Sequence, residues 1–385
     1  MAGRLTKVGK AFHFIYNAVP GQSCTHKLRP VIDVIGRSSG CNFPIPPTMA
    51  HLPRVGKPIQ EWNQQDLLAY NIHVHPQHQS VFFNGLRCSG GVLPSLPPNS
   101  PLHPFLTTQT INWNAVPPIS RPTSTLLSLL YSPIRFSSEL DGKVDNFVAY
   151  LIASMGPPYV SVECMIGPGP SLTFQNCGKT YETYADLCAH SDCLVSDMVH
   201  LLITLERFVG LNIPSQDDDV DPKSNFDLQY WIKKPVESWP RDDAEAKLIA
   251  AAIATYNFNN YEVPKRYHEL DADDYQKVDP LFVVHDPSFL AGMTWEGTRP
   301  SFYKLSIGSE LVNAVRVGTY PRVPTMVYKY TPVLPDKPEG GMDKLWMDAM
   351  KPLGNRRLII GCLEAFKMFL RVKRFGMPTP VFSSR

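Results

Sequence analysis

The 37 prolines of this 385-residue chain are unevenly placed. They crowd into residues 44–58 and again into 94–122, where the sequence around the second group reads LPSLPPNSPLHPFLTTQTINWNAVPPISRP. A proline ring fixes φ and removes the backbone donor, so neither stretch can supply a helix interior or a central strand. Extended coil is what remains, and its Leu, Phe, Ile and Trp side chains favour coil wrapped over a core rather than a free linker. The chain therefore divides into an irregular, proline-rich N-terminal wrap over 1–122 and a regular part over 123–375. Within the wrap, EWNQQDLLAYNIHVHP (61–76) reads as a short helical turn leading into a strand, with Ile72 and Val74 on one face and Asn71, His73 and His75 on the other.

In the regular part, TLLSLLYS (125–132) and ELDGKVDNFVAYLIASMG (139–156) have helical spacing, and the second ends near Gly156. Strands follow at YVSVECMIG (159–167), SLTFQ (171–175), YADLCA (184–189, after a turn-rich piece) and VHLLITLE (199–206). Residues 211–240 hold acids and prolines with few periodic apolar positions, which marks a surface insertion. A helix starts at about Asp242, with that residue as N-cap and Glu245 three positions on, the spacing of a capping box. Strands near LFVVHD (281–286), FLAGMTWEG (289–297) and PSFYKLSI (300–307), a short helix at SELVNAVRV (309–317), a strand at TMVYKYTPV (325–333) and a helix over 355–374 complete the pattern. Helices alternating with strands in this order predict an α/β fold, a mixed β-sheet flanked by helices.

Charge gives no direction: 37 Lys and Arg stand against 35 Asp and Glu, so any basic footprint for nucleic acid is local. The start MAGRLTKVGKAFHFIYNAVPG lacks the continuous apolar stretch of a secretory signal, and no run of membrane-spanning length occurs. The expectation is an intracellular protein, cytoplasmic or nuclear, without a membrane partner. Its 8 cysteines lack a small-scaffold spacing and read as thiols.

The chemistry-bearing feature is the apolar run from Val199 that closes on Glu206, ahead of Gly210 and Pro214. It reads as a buried strand delivering a bare carboxylate to a sheet edge, where α/β proteins hold their sites. Asp186, in TYADLCAHSD, belongs to the preceding strand, with Asp192 as the alternative first carboxylate, and the helix from 242 carries Lys247. Two carboxylates and a lysine converging there would make a metal-sized site. Centring the helix's apolar stripe on Ile249, Ile253 and Tyr256 sets Lys247 opposite, beside Ala250, Ala251 and Ala254. A solvent-facing lysine and one that reaches a ligand both fit that placement. His73, His75 and His78 lack further ligands at zinc spacing, as do Cys188, His190 and Cys193; DDDVD (217–221) lacks the glycine and terminal glutamate of a calcium loop.

In order, DLLAYNI (66–72), VDNFVAYL (144–151), the block from CG to ADLC (177–188), LLITLE (201–206), DDAEAKLIAAAIATY (242–256), AGMTWEGTRPSFYKL (291–305) and MKPLGNRRLIIGCLEAFK (350–367) resemble a basidiomycete-type fungal family of the PD-(D/E)XK nuclease-like superfamily. The resemblance covers about residues 60–370, in blocks. It implies a restriction-endonuclease-like core in which an Asp and a Glu on adjacent strands hold a divalent ion, Mg²⁺ or Mn²⁺, and a lysine two residues after the Glu completes the site. Carried onto this chain, the first-helix acid is Glu139 or Asp145, the metal carboxylates are Asp186 and Glu206, and the lysine position is Phe208. Residues 206 and 208 share a strand face, so an apolar ring stands where the lysine belongs. Lys247 occupies a helix position that is usually Gln in the family and is the candidate substitute. The implied function is a metal-dependent phosphodiesterase acting on nucleic acid, with turnover impaired by Phe208, since losing one such electrostatic group lowers rates on the order of 10²- to 10³-fold. The competing reading is a non-catalytic module that holds nucleic acid or a protein partner in the old cleft or on the proline-rich wrap.

Overall fold

Strands that are apolar on both faces must lie in a sheet covered on both sides, and two strands here are of that kind. In β6 (Val199–Leu205) only His200 is not buried, and in β7 (Ser288–Glu296) only Phe289 and Glu296 are not. The computed structural model describes residues 51–83, 93–96, 99–108, 121–131, 137–156, 159, 164–167, 169–191, 198–205, 243–262, 287–336 and 349–374. Around β6 and β7 stand β1 (Ile72–Pro76), β2 (Cys164–Gly167), β5 (Leu187–Ser191), β8 (Arg299–Ile307) and β9 (Thr325–Tyr330). They form a 7-stranded sheet of order β1-β9-β8-β7-β6-β5-β2. Strands β1 and β9 pair in parallel, as do β6 and β7, and the remaining pairs are antiparallel. The expected α/β class with a mixed, helix-flanked sheet is thus observed. One edge strand, β1, comes from the proline-rich region and pairs with β9 from Ile72↔Thr325 to Pro76↔Lys329. The insertion expected at 211–240 and the strand expected at 281–286 lie outside the described residues.

Period-two alternation assigns the faces. Leu201, Ile203, Leu205, Met293, Trp295 and Phe302 face one core, built with α3 (Arg121–Tyr131), α4 (Ser137–Ser154) and α7 (Leu353–Arg374). Phe82, Phe83, Phe302, Tyr330, Phe366 and Phe369 join there in a chain of ring contacts with centroids 5.1–6.4 Å apart. Cys188, Leu202, Leu290, Tyr303, Leu305 and Val327 face the other core, whose centre is α5 (Ala244–Asn257).

The expected amphipathic character of α5 is not what the structure has. Every residue from Leu248 to Tyr256 is buried. A second, 2-stranded sheet, β3 (Leu172–Asn176) with β4 (Lys179–Thr183), closes over its outer side together with α6 (Ser309–Val317). Small alanines at 250, 251, 252 and 254 let the helix sit between these layers. The turn joining β3 and β4 has two central residues with positive φ, Cys177 (51°) and Gly178 (76°), the mirror-image turn that suits strand twist. Its N–H groups donate to the last carbonyls of α6, Cys177 to Val315 at 3.0 Å and Gly178 to Arg316 at 2.7 Å.

Gly292, in the middle of β7, lets the helix approach. A Cβ there would meet Leu305 Cδ1 at 2.8 Å and Leu248 Cδ2 at 2.9 Å. Gly292→Ala is expected to destabilise by about 1–3 kcal/mol through this overpacking; an unchanged urea midpoint would show that Leu248 and Leu305 move aside freely.

Candidate functional site

The strand directions bring several chain ends to one edge. Because β1, β9, β7 and β6 run the same way, their C-termini share an edge of the sheet, and β5, running oppositely, begins there. Asp186 immediately precedes β5. Its Oδ2 accepts a hydrogen bond from the Leu205 N–H at 2.8 Å, extending the β5–β6 ladder beyond the last backbone pair, Leu187↔Ile203. Leu205 is the residue before Glu206, so the sheet register brings Asp186 to the point where the strand hands over to that carboxylate's position in the chain. Glu206, Phe208 and Asp192 themselves lie outside the described residues.

Toward α5 this edge is unexpectedly polar. Thr204 and Thr294 are buried neighbours in the β6–β7 register. Next in the row, Ser301 Oγ lies 2.7 Å from Thr331 Oγ1. One step inward, the Tyr303 hydroxyl lies 3.3 Å from Thr294 Oγ1 and donates to Glu245 Oε2 at 2.9 Å. Lys329 Nζ donates to the same carboxylate oxygen at 2.7 Å and sits 5.5 Å from the Tyr303 ring centroid. Gln64 Nε2 reaches Glu245 Oε1 at 3.1 Å. Burial, with the Glu245 carboxylate next, raises the Tyr303 phenol well above its ordinary range, so it remains a donor.

Two helix-start expectations change here. The N-cap is Asp243, not Asp242: its Oδ1 accepts from the Ala246 N–H at 3.0 Å. Glu245 does not close a capping box, since its carboxylate turns to the sheet to meet Tyr303 and Lys329. Lys247 is half-buried on the same first turns of α5.

The remaining candidates stand apart. Asp145 lies on α4, whose Phe147, Val148 and Leu151 belong to the core on the opposite side of the sheet from α5; Glu139 is on the same helix. His73 is bonded to Asn71 Oδ1 at 2.9 Å, and burial, then His75, lowers its pKa. His78 caps α2 (Gln79–Phe82) by accepting from the Ser80 N–H. Among the described residues no three His, Cys, Asp or Glu side chains group as a metal-ligand set, and no helix is long and apolar enough to cross a membrane. Cys177, Cys188 and Cys362 are thiols.

Sequence reasoning placed Asp186 beside the β6 terminus and missed the Glu245–Tyr303–Lys329 group. Each of the three looked like a helix-cap, core or surface residue alone. Only the pairing of Tyr303 with Lys329 across β8 and β9 unites them, and no local period carries that register. No family model, no curated protein and no solved structure matches this chain.

Proposed function

We propose that the chain is a divergent nuclease-like protein with a restriction-endonuclease-like core, acting on nucleic acid at the sheet edge where Asp186 meets the end of β6. The observation that carries this reading is the Asp186–Leu205 hydrogen bond, which sets one carboxylate on the strand adjacent to the one that leads into Glu206. Mg²⁺ retains several waters and needs only one or two carboxylates, so this sparse donor set fits Mg²⁺ or Mn²⁺ and not a fully protein-ligated zinc. Such an ion would neutralise developing phosphate charge and acidify an attacking water. Asp186, placed by its hydrogen bond from the Leu205 N–H, would hold the metal together with Glu206. Lys247, on the helix whose first turn covers this edge, would supply the cation missing at Phe208.

The test is cleavage of single-stranded DNA, duplex DNA and RNA with Mg²⁺ or Mn²⁺. Weak, metal-dependent turnover is expected, abolished by Glu206→Gln, by Asp186→Asn and by Lys247→Ala, and restored to the last variant by Phe208→Lys. Asp186→Asn is the informative change, because an amide oxygen can still accept the Leu205 N–H while the metal charge is lost; its melting temperature should stay near that of the parent. Turnover indifferent to Glu206 would place any chemistry elsewhere.

A second reading has its own support: Asp186 is already engaged in holding β6, which is a structural duty by itself. On that reading the chain is a silent descendant that binds nucleic acid or a protein. It becomes the better one if no substrate is cleaved and calorimetry detects no Mn²⁺ binding that depends on Glu206.

A further inference from the structure

At the opposite end of α5 the helix widens into a π turn, Phe258–Glu262. The Asn259 side chain clamps the first residue of β6, accepting from the Val199 N–H at 3.0 Å and donating to its carbonyl at 2.9 Å. Asn260 reaches Ser288, the first residue of β7, at 3.4 Å. Such turns occur where a helix must present side chains out of its regular register. This one opens a groove of about 400 Å³ between the π turn, the outer face of β3 and one face of α6.

The groove's lining mixes apolar and polar surface, and its described residues carry one charge of each sign. Glu262 comes from the π turn and Arg316 from the last turn of α6, with the amides Gln175, Asn257 and Asn313 between elements and Tyr261 at the rim. None of these five charged or amide side chains makes a hydrogen bond or ion pair to another described residue. Glu262 and Arg316 belong to segments at opposite ends of α6. Asn260 bonds Ser288, whose strand partner Ile307 leads directly into Ser309 at the start of α6, so the π turn lies at that end. Arg316 lies at the other end, where its own carbonyl receives the Gly178 N–H. Seven residues of helix separate 309 from 316, a rise of about 10 Å.

That pattern selects a ligand. A nucleic-acid strand needs a succession of cations, whereas the described residues of this groove supply one, Arg316. A neutral sugar would desolvate Glu262 and Arg316 and leave both unmatched. A lipid has no use for the amides. We infer that the groove binds a short zwitterionic peptide of about three residues, with the ammonium at Glu262 beside Tyr261 and the carboxylate at Arg316. An extended tripeptide spans about 10 Å at 3.3 Å per residue, the same reach as the rise of α6 from Ser309 to Arg316. The amides of Gln175, Asn257 and Asn313 offer both donors and acceptors to its backbone. This site is independent of the nuclease reading, being at the sheet end where β6 and β7 begin, not where β6 ends at Leu205.

Titration of the full chain with trialanine, followed by calorimetry and saturation-transfer NMR, tests the inference. Saturable binding is expected, weakened about tenfold or more by Glu262→Gln, by Arg316→Ala and by blocking the peptide as the N-acetyl amide, since each removes one charge-assisted contact. Both side chains project from the surface, so the variants should melt with the parent. The inference is overturned if neither trialanine nor tripeptides with Ser, Phe, Lys or Glu at the centre bind saturably. It is equally overturned if the blocked peptide or the variants bind as tightly, or if glucose or a short thymidine oligonucleotide occupies the groove in preference.

Discussion

Arg356→Met is expected to destabilise the protein by about 3–5 kcal/mol, since several buried carbonyls lose their donor at about 1–3 kcal/mol each. Arg356 is completely buried at the start of α7. Its donors are consumed by the carbonyls of Met350 (2.9 Å), Phe105 (2.6 Å), Thr108 (2.9 Å) and Lys351 (2.9 Å) and by the Tyr131 hydroxyl (3.1 Å). The guanidinium also stacks 4.6 Å from the Phe105 ring centroid. Burial lowers its pKa, with Tyr131 opposing, yet guanidinium starts so high that it stays charged. Four carbonyls that arginine alone can reach together would lose their donor, and the proline-rich segment around 105–108 would keep the exposed Arg357–Leu106 hydrogen bond to α7 but lose this buried one. Lysine cannot replace it, having three donors on a single point. Urea denaturation gives the energy; a loss under about 1 kcal/mol would mean that other donors reach these carbonyls, contrary to the accounting for buried groups.

Lys304→Met should act in the other direction at neutral pH. Lys304 is buried on β8, donating to the Phe82 carbonyl at the end of α2, with the Phe82 and Phe369 ring centroids 4.6 and 5.6 Å away. Desolvation lowers its pKa from 10.5 to about 8. The unfolded chain therefore holds this proton more tightly than the native one. Below about pH 8 the full penalty of charging a buried amine is present; as pH rises from about 8 to about 10.5 the penalty disappears and stability rises. The interval is worth on the order of 3 kcal/mol. Methionine removes the penalty and also the bond to Phe82 and the charge's contacts with the Phe82 and Phe369 rings, together a loss of about 1–2 kcal/mol. The variant should then exceed the parent by roughly 1–2 kcal/mol at pH 7 and fall below it near pH 10. Comparing parent with variant at each pH cancels the tyrosines, which titrate in the same range. A difference independent of pH would show that Lys304 keeps an ordinary pKa.

The layers of this fold were legible wherever a period governed them. Ile72 on its short strand, the β6 run, and the helices of 137–154 and 353–374 appear as their spacing dictates. Strand β4 was not legible: KTYET has exposed residues at three of its positions, and the turn before it puts Cys177 where Asn or Gly is the usual signal. Burial of the whole circumference of α5 was not legible either, because alanines suit a solvent face and a tight interface equally. Of the candidate site, Asp186 was found from its place before an apolar strand. Glu245, Tyr303 and Lys329 needed a register set by partners far along the chain.

One pairing has a consequence for how the molecule comes into being. Strand β1 ends at Pro76, yet its neighbour in the sheet among the described residues is β9, which is not complete until Tyr330. During synthesis some 250 residues must leave the ribosome before Ile72 can meet Thr325, at roughly 5–20 residues per second. For that interval the β1 backbone has no strand to join, and closing so long a loop makes its docking a late event. Chains halted before residue 325 hold the early strand without its template.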